Sequence, residues 1–180
     1  MNDKTKITKI DAKSLHKIQY GMYVITTKWE NQLNGQIATT LFQVTNSPIK
    51  IAICLSKKTY THELIQKSNV FSAAILEKDT PMKFIGTFGF RCGRECDKFC
   101  NVNYATDLTG CPLILDHSLV IMEASVVQQL DVGTHTLFIG ILEGAKKIKD
   151  GDAMTYEYYH TVVKGKSPEN APTYINPTSM

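Results

Sequence analysis

The stretch Asn34–His62, NGQIATTLFQVTNSPIKIAICLSKKTYTH, limits the possible folds more than any other part of this chain. Its run Ile51–Leu55 is apolar at consecutive positions, with Pro48 before it and a polar turn after it. A short, continuous apolar segment of this kind reads as a strand buried on both faces. Small hydroxyl and amide residues precede it, and Ser56-Lys57-Lys58 and Thr61-His62 follow it. Small side chains let a flat ligand lie close to the backbone, and cations with hydroxyl donors suit a phosphate. The same features also describe a solvated strand-to-helix bend with ordinary lysines. Asn34-Gly35 is equally a strong hairpin-turn dipeptide.

Strand signals recur along the rest of the chain. Met22–Trp29 is rich in β-branched and aromatic residues, and Glu30, Asn31 and Gln32 read as a turn. A second strand is predicted from Gly35 to about Thr40, and further strands over Val70–Leu76, Ser118–Leu130, Thr134–Leu142 and Tyr156–Val163. Helix signals are few. Asp11 can cap a short helix reaching Ile18, and Thr61 can cap one over His62–Lys67 with Glu63 in its first turn. Thr80 as cap and Pro81 at the first helical position start another, ending near Gly89. Residues 91–112, with Gly93, Gly110 and Pro112, read as an excursion between core elements, with room for one short helix. Residues 1–10 read as a flexible lead, 11–163 as one domain, and 164–180, with three prolines, as an extended arm. Many strands and few short helices predict a mainly β, antiparallel barrel with peripheral helices.

A chain of 180 residues is long enough for one well-buried core. No apolar run approaches the roughly 20 residues a spanning helix needs, and MNDKTKITKIDAK has no apolar centre, so neither a membrane span nor a secretory signal is expected. The net charge of +3 is scattered and offers no basic face for nucleic acid. Five cysteines, an odd number without an export signal, predict reduced thiols in a cytoplasm.

Several groups of residues could carry chemistry. Lys57 and Lys58 supply charge, Ser56, Thr59 and Thr61 supply hydroxyls, and a helix starting at Thr61 would add backbone donors. Gly35, Ala38, Thr39 and Thr40 are small enough to lie under a ring, with Asn34 and Gln36 as amides beside it. His135, after Gly133 and at the head of an apolar strand, can bond a ligand oxygen, steer a proton, or satisfy a local backbone group. Tyr156, Tyr158, Tyr159 and His160 form an aromatic cluster suited to a ligand edge or to packing. Cys92, Cys96 and Cys100 would share a helix face, but their spacing matches neither zinc pairs nor ferredoxin runs, and Gly93 weakens the helix; no metal is expected. Arg91, Arg94 and Lys98 can lower the pKa of those thiols, or Lys98 can reach a phosphate. Gly165-Lys166-Ser167 resembles the end of a P-loop, but residue 160 is His where that motif has Gly, and no Rossmann fingerprint, nucleophile elbow or HExxH is present.

From about Ser14 to about Tyr174 the chain resembles the flavin reductase-like family, especially its flavoredoxin and high-molecular-weight rubredoxin branch. The resemblance rests on YGMYVITT, NGQIATTLFQVT, the turn at 57–62, FIGTFGF with DKF, DVGTHTLFIG and MTYEYYH. It implies an FMN-binding split β-barrel, antiparallel and Greek-key-like, working as a homodimer that binds FMN between protomers. It also implies an oxidoreductase taking electrons from NAD(P)H or from a redox protein such as rubredoxin or ferredoxin. The cofactor residues it implies are Asn34, Gln36, Ala38, Thr39, Thr40, Thr45, Cys54, Ser56, Lys57, Thr61, His62, Lys98, His135 and Tyr159. The sequence contains no CxxC pair to hold a rubredoxin iron, so a rubredoxin partner would be a separate protein. An electron carrier without enzymatic turnover is the alternative reading, and a barrel holding haem or a pyridoxal phosphate compound a third.

Overall fold

The computed structural model describes residues 12–174. Strands β1 (Tyr23–Trp29) and β2 (Gln32–Ala38) form a hairpin whose turn places Glu30 at φ 52°. Strands β3 (Leu41–Asn46) and β4 (Ile49–Ser56) form a second hairpin around Ser47-Pro48. Helix α1 (Tyr60–Ser68) carries the chain to β5 (Val70–Leu76), and α2 (Met82–Gly89) follows. A small ladder of β6 (Tyr104–Ala105) and β7 (Leu113–Ile114) leads to the long hairpin of β8 (Ser118–Asp131) and β9 (His135–Lys147), and α3 (Tyr156–Thr161) comes last. The main sheet has seven strands in the order β2-β1-β5-β8-β9-β4-β3, and every pairing in it is antiparallel. Although β2 and β4 stand far apart in that order, they approach each other and share one cavity, so the sheet curls partway closed as a split barrel.

Both faces of the central strands are buried. Val24 packs with Leu76, Ile85, Phe88 and Met154 on one side, while its neighbour Ile25 packs with Ile53, Ile65, Phe71 and Phe138 on the other. This follows from the alternation of side chains along a strand. The buried hydroxyls between these faces are satisfied. Thr26 Oγ1 and Ser72 Oγ both donate to the carbonyl of Pro112, at 2.5 and 2.6 Å, which fastens the 91–112 excursion to the sheet.

Several sequence expectations are corrected. Asn34-Gly35 lies inside β2, and the hairpin turns at Glu30-Asn31, since Trp29 pairs with Gln32. β2 accordingly begins three residues earlier than expected and ends at Ala38. β3, which no sequence signal assigned, is an edge strand with Phe42 and Val44 exposed, so it lacks the buried alternation that marks a strand. Thr59, not Thr61, caps α1 by accepting from the His62 N–H at 3.4 Å. At α2 the cap position is Pro81, and the Thr80 hydroxyl donates instead to the Glu77 carbonyl at 2.6 Å. Residues 91–112 form turns and β6, with no helix. The run Tyr156–Val163 is not extended, and Tyr156–Thr161 of it is helical: Thr155 caps the helix by accepting from Tyr158 N–H at 3.1 Å, and Tyr156 and Tyr159, three apart, bury one face. Burial and a cap outweigh aromatic strand preference here. A 3₁₀ turn covers Ala12–Lys17, while Asp11 and the 1–10 lead lie outside the described residues. Among the described residues no helix is long and apolar enough to cross a membrane.

Candidate functional site

A cavity of about 300 Å³ opens where β2, β4, the start of α1, the end of α2, α3 and the C-terminal arm converge. That volume lies at the small end of the range for ligand pockets. Asn34, Gln36 and Ala38 reach it together because alternate residues of a strand share a face, and Cys54 and Ser56 of β4 do so for the same reason. The first turn of α1 contributes Thr59, Tyr60 and Thr61, and the turn after α2 contributes Arg91, Cys92, Gly93 and Lys98. Phe88, Tyr156 and Tyr159 form the aromatic wall.

The charge of this lining is one-sided. Lys58, Arg91, Lys98 and Lys166 line the cavity, and among the described residues no carboxylate does. Lys98 is 5 % exposed and donates to the Gly35 carbonyl at 2.8 Å. Burial lowers its pKa to about 8, against the opposing pull of the Cys96 and Cys92 thiols. Thr59, Tyr60 and Thr61 put the N-terminus of α1 at the same cavity, and helix N-termini carry partial positive charge.

Three buried polar atoms in the lining have no hydrogen-bond partner: Asn34 Oδ1, Gln36 Oε1 and Thr39 Oγ1. Buried polar groups are nearly always paired, so three orphans on one wall stand out. Asn34 is otherwise held, its amide donating to Thr61 Oγ1 at 3.0 Å. Gly93 permits this packing: a Cβ there would lie 2.0 Å from Asn34 Oδ1.

The C-terminal arm crosses the cavity rather than running free. Tyr159 Oη donates to the Lys166 carbonyl at 3.0 Å, and Gly165 N–H donates to the Tyr159 carbonyl at 2.9 Å. Tyr156 Oη bonds Ser167 Oγ, and His160 Nε2 lies 3.2 Å from the same oxygen. Gly165 lies so close to the Tyr159 ring that a Cβ would come within 2.0 Å of it. Burial raises the Tyr159 pKa, keeping the phenol protonated as a donor.

Of the cofactor residues implied by the resemblance, Asn34, Gln36, Ala38, Thr39, Cys54, Ser56, Thr61, Lys98 and Tyr159 line this cavity. Five others do not. Lys57 turns outward to an ion pair with Asp131 at 2.6 Å, and its neighbour Lys58 takes the inward position. Thr40 sits in the β2–β3 link, and Thr45 Oγ1 donates to the Pro48 carbonyl at 2.5 Å. His62 points into the barrel, its Nε2 2.8 Å from Thr136 Oγ1, and burial followed by the Lys57 and His135 charges lowers its pKa. His135 is the cross-strand partner of Ser56; Thr134 Oγ1 is 2.8 Å from its Nδ1, and its Nε2 is buried without a partner. Sequence reasoning missed Phe88, Lys166 and Ser167 as lining, and did not place Arg91 in the cavity. Only the basic and hydroxyl pair at 166–167 carried a local signal. Among the described residues no group of three or more His, Cys, Asp or Glu is placed to hold a metal ion.

Comparison with known proteins agrees with this architecture. Residues 15–167 match the family described as flavin reductase like domain. The chain is 45% identical over 166 residues to a ferric-chelate reductase (NAD(P)H) of Archaeoglobus fulgidus, covering 92% of this chain and 98% of that one. It is 44% identical over 165 residues to a high molecular weight rubredoxin of Moorella thermoacetica, covering 92% of this chain and 72% of that one. Its fold superposes on an FMN-binding protein from Thermus thermophilus with a TM-score of 0.71 at 21% identity, over 87% of this chain and 89% of that one.

Proposed function

This chain belongs to the flavin reductase-like family and is a flavin-type oxidoreductase, and on that premise we propose that its cavity holds FMN, through which electrons pass from NAD(P)H or a reduced protein to an acceptor. One observation carries the assignment: four cations and three unpartnered polar atoms line a single cavity that no described carboxylate enters. Such a lining suits a ligand that is both anionic and rich in amide-like edges.

The residues divide the work. Lys58, the hydroxyls of Thr59 and Thr61 and the first N–H groups of α1 suit the phosphate. Asn34, Gln36 and Thr39 offer bonds to the polar edge of the ring, and Phe88, Tyr156 and Tyr159 exclude water from its apolar side. Lys98 adds a buried positive charge beside β2. When bound, the flavin supplies the hydride and electron chemistry, and the protein supplies position and field. No acid–base pair is required of the chain.

A homodimer is part of the proposal. The edge strand β3 exposes Phe42 and Val44, and the β8–β9 hairpin exposes Val127, Leu130 and Val132. Exposed apolar groups on an edge strand favour burial against another chain. The five thiols, all free, agree with work in a reducing cytoplasm. The likeness to a rubredoxin-bearing relative favours a second reading, an electron carrier that receives electrons from a rubredoxin or ferredoxin system rather than from a nicotinamide.

Absorption spectroscopy of the purified protein, with titrations of FMN and FAD, tests the proposal. Flavin bands with tighter FMN than FAD binding are expected. Rapid bleaching on mixing with NADH or NADPH supports a reductase, and bleaching only by a reduced redox protein supports a carrier. A colourless protein that binds neither flavin overturns both.

A further inference from the structure

Cys92 and Cys96 play no part in the proposed flavin chemistry, yet they bracket one tight turn at the cavity wall. The N–H groups of Glu95 and Cys96 donate to the Cys92 carbonyl at 3.1 and 3.3 Å, closing a single helical turn between the two cysteines. One such turn advances about 6 Å, within the roughly 4.4–6.8 Å between Cα atoms that a disulfide spans, while Cβ atoms so spaced stand about 5–6 Å apart and must draw in to the roughly 3.5–4.5 Å of a bridge. Both residues are partly exposed, and Cys92 lines the cavity. The turn continues into no longer helix, so little regular structure resists a small adjustment.

Both sulfurs lie within electrostatic reach of the Lys98 ammonium. The remaining cysteines are differently placed. Cys111 is fully buried, and burial raises its pKa; burial also raises that of Cys54. Cys100 is exposed on the next turn, its Sγ 3.5 Å from the Asp97 carbonyl.

We propose that Cys92 and Cys96 form a redox-active dithiol that a peroxide converts to an intramolecular disulfide at the edge of the cavity. The Cys92 thiolate attacks one peroxide oxygen, the O–O bond breaks, and the departing hydroxide takes a proton to leave as water. Cys92 is then a sulfenic acid. The Cys96 thiolate attacks its sulfur, the S–S bond forms, and the sulfenic oxygen leaves with a second proton as water. The two thiols together lose two electrons and two protons, and the peroxide gains them as two waters. This chemistry does not depend on which ligand fills the cavity. Its link to the cavity is Cys92, which lines it beside Gly93, the residue packed on Asn34.

The sequence makes the test direct, because trypsin cuts after Arg91, Arg94 and Lys98 and so separates the two cysteines. Purified full-length protein is treated with stoichiometric hydrogen peroxide, denatured, alkylated and digested without reductant. The expected product is Cys92–Arg94 joined to Glu95–Lys98, two hydrogens lighter than the separate peptides and released by dithiothreitol. Cys54 and Cys111 should remain alkylated. In Cys92→Ser the joined peptide should vanish without Cys100 taking its place. Recovery of Cys92 and Cys96 as alkylated thiols, their oxidation only to separate acids, or a bridge to Cys100 would overturn the proposal.

Discussion

Lys98 is the residue whose chemistry is most altered by its place in the fold. Burial lowers its pKa to about 8, so folding favours the neutral amine. Between about pH 8 and the ordinary lysine value the folded chain holds fewer protons than the unfolded one. By linkage, its contribution to stability therefore rises with pH across that window. A bound anion acts in the opposite sense, because it restores the ammonium. FMN binding should be flat below about pH 8 and weaken as pH rises above it, with proton uptake on binding. Lys98→Met should bind FMN on the order of tenfold more weakly and lose that pH dependence. Fluorescence titrations between pH 6.5 and about 9.5 check both outcomes. Lys57 and Lys58 give a second residue-scale contrast. Lys57 is held outward by Asp131, whereas Lys58 lines the cavity. Lys58→Ala should lower FMN affinity roughly tenfold to a hundredfold, the worth of a charge-assisted bond, and Lys57→Ala should leave it nearly unchanged. Equal effects in the two variants would place the phosphate outside this cavity.

At the scale of elements, the start of α1 joins stability to the site. Thr59 accepts from the His62 N–H and also lines the cavity. Thr59→Ala should cost about 1 kcal/mol, seen as a fall in Tm of roughly 2–4 °C without ligand. Its FMN affinity should fall as well, whereas Thr155→Ala, which uncaps α3, should loosen the arm through Tyr156 and Tyr159. Calorimetry paired with flavin titration separates the two. The existence of β1, β4, β5, β8 and β9 was legible in the sequence because each carries buried β-branched or apolar positions at consecutive or alternate places. The β3 strand and the helix α3 were not. β3 is an edge strand whose residues are mostly exposed, and α3 is helical because Thr155 caps it and two tyrosines bury one face. Neither condition can be read from a short window of residues.

At the scale of the whole molecule, the curled sheet decides which residues meet. The apolar side chains on β3 and the β8–β9 hairpin bear on assembly. Phe42→Asp should convert a homodimer to monomer in analytical ultracentrifugation, since a charge in an apolar interface is left unpaired. A protein that sediments as a monomer before any substitution would remove the dimer from the proposal. The strand-rich class and the polar bend after β4 could be read from the sequence alone, and its motifs pointed to a flavin family. These are local matters of composition, alternation and turn chemistry, and a stretch such as IAICLSKK holds them within a few residues. Only the folded chain settles that Lys58 rather than Lys57 faces inward, that Gly93 packs against Asn34, and that Lys166 and Ser167 fold back across the cavity. The first two depend on segments dozens of residues apart coming together, which the curl of the sheet sets, and the third on the arm doubling back onto the tyrosines of α3.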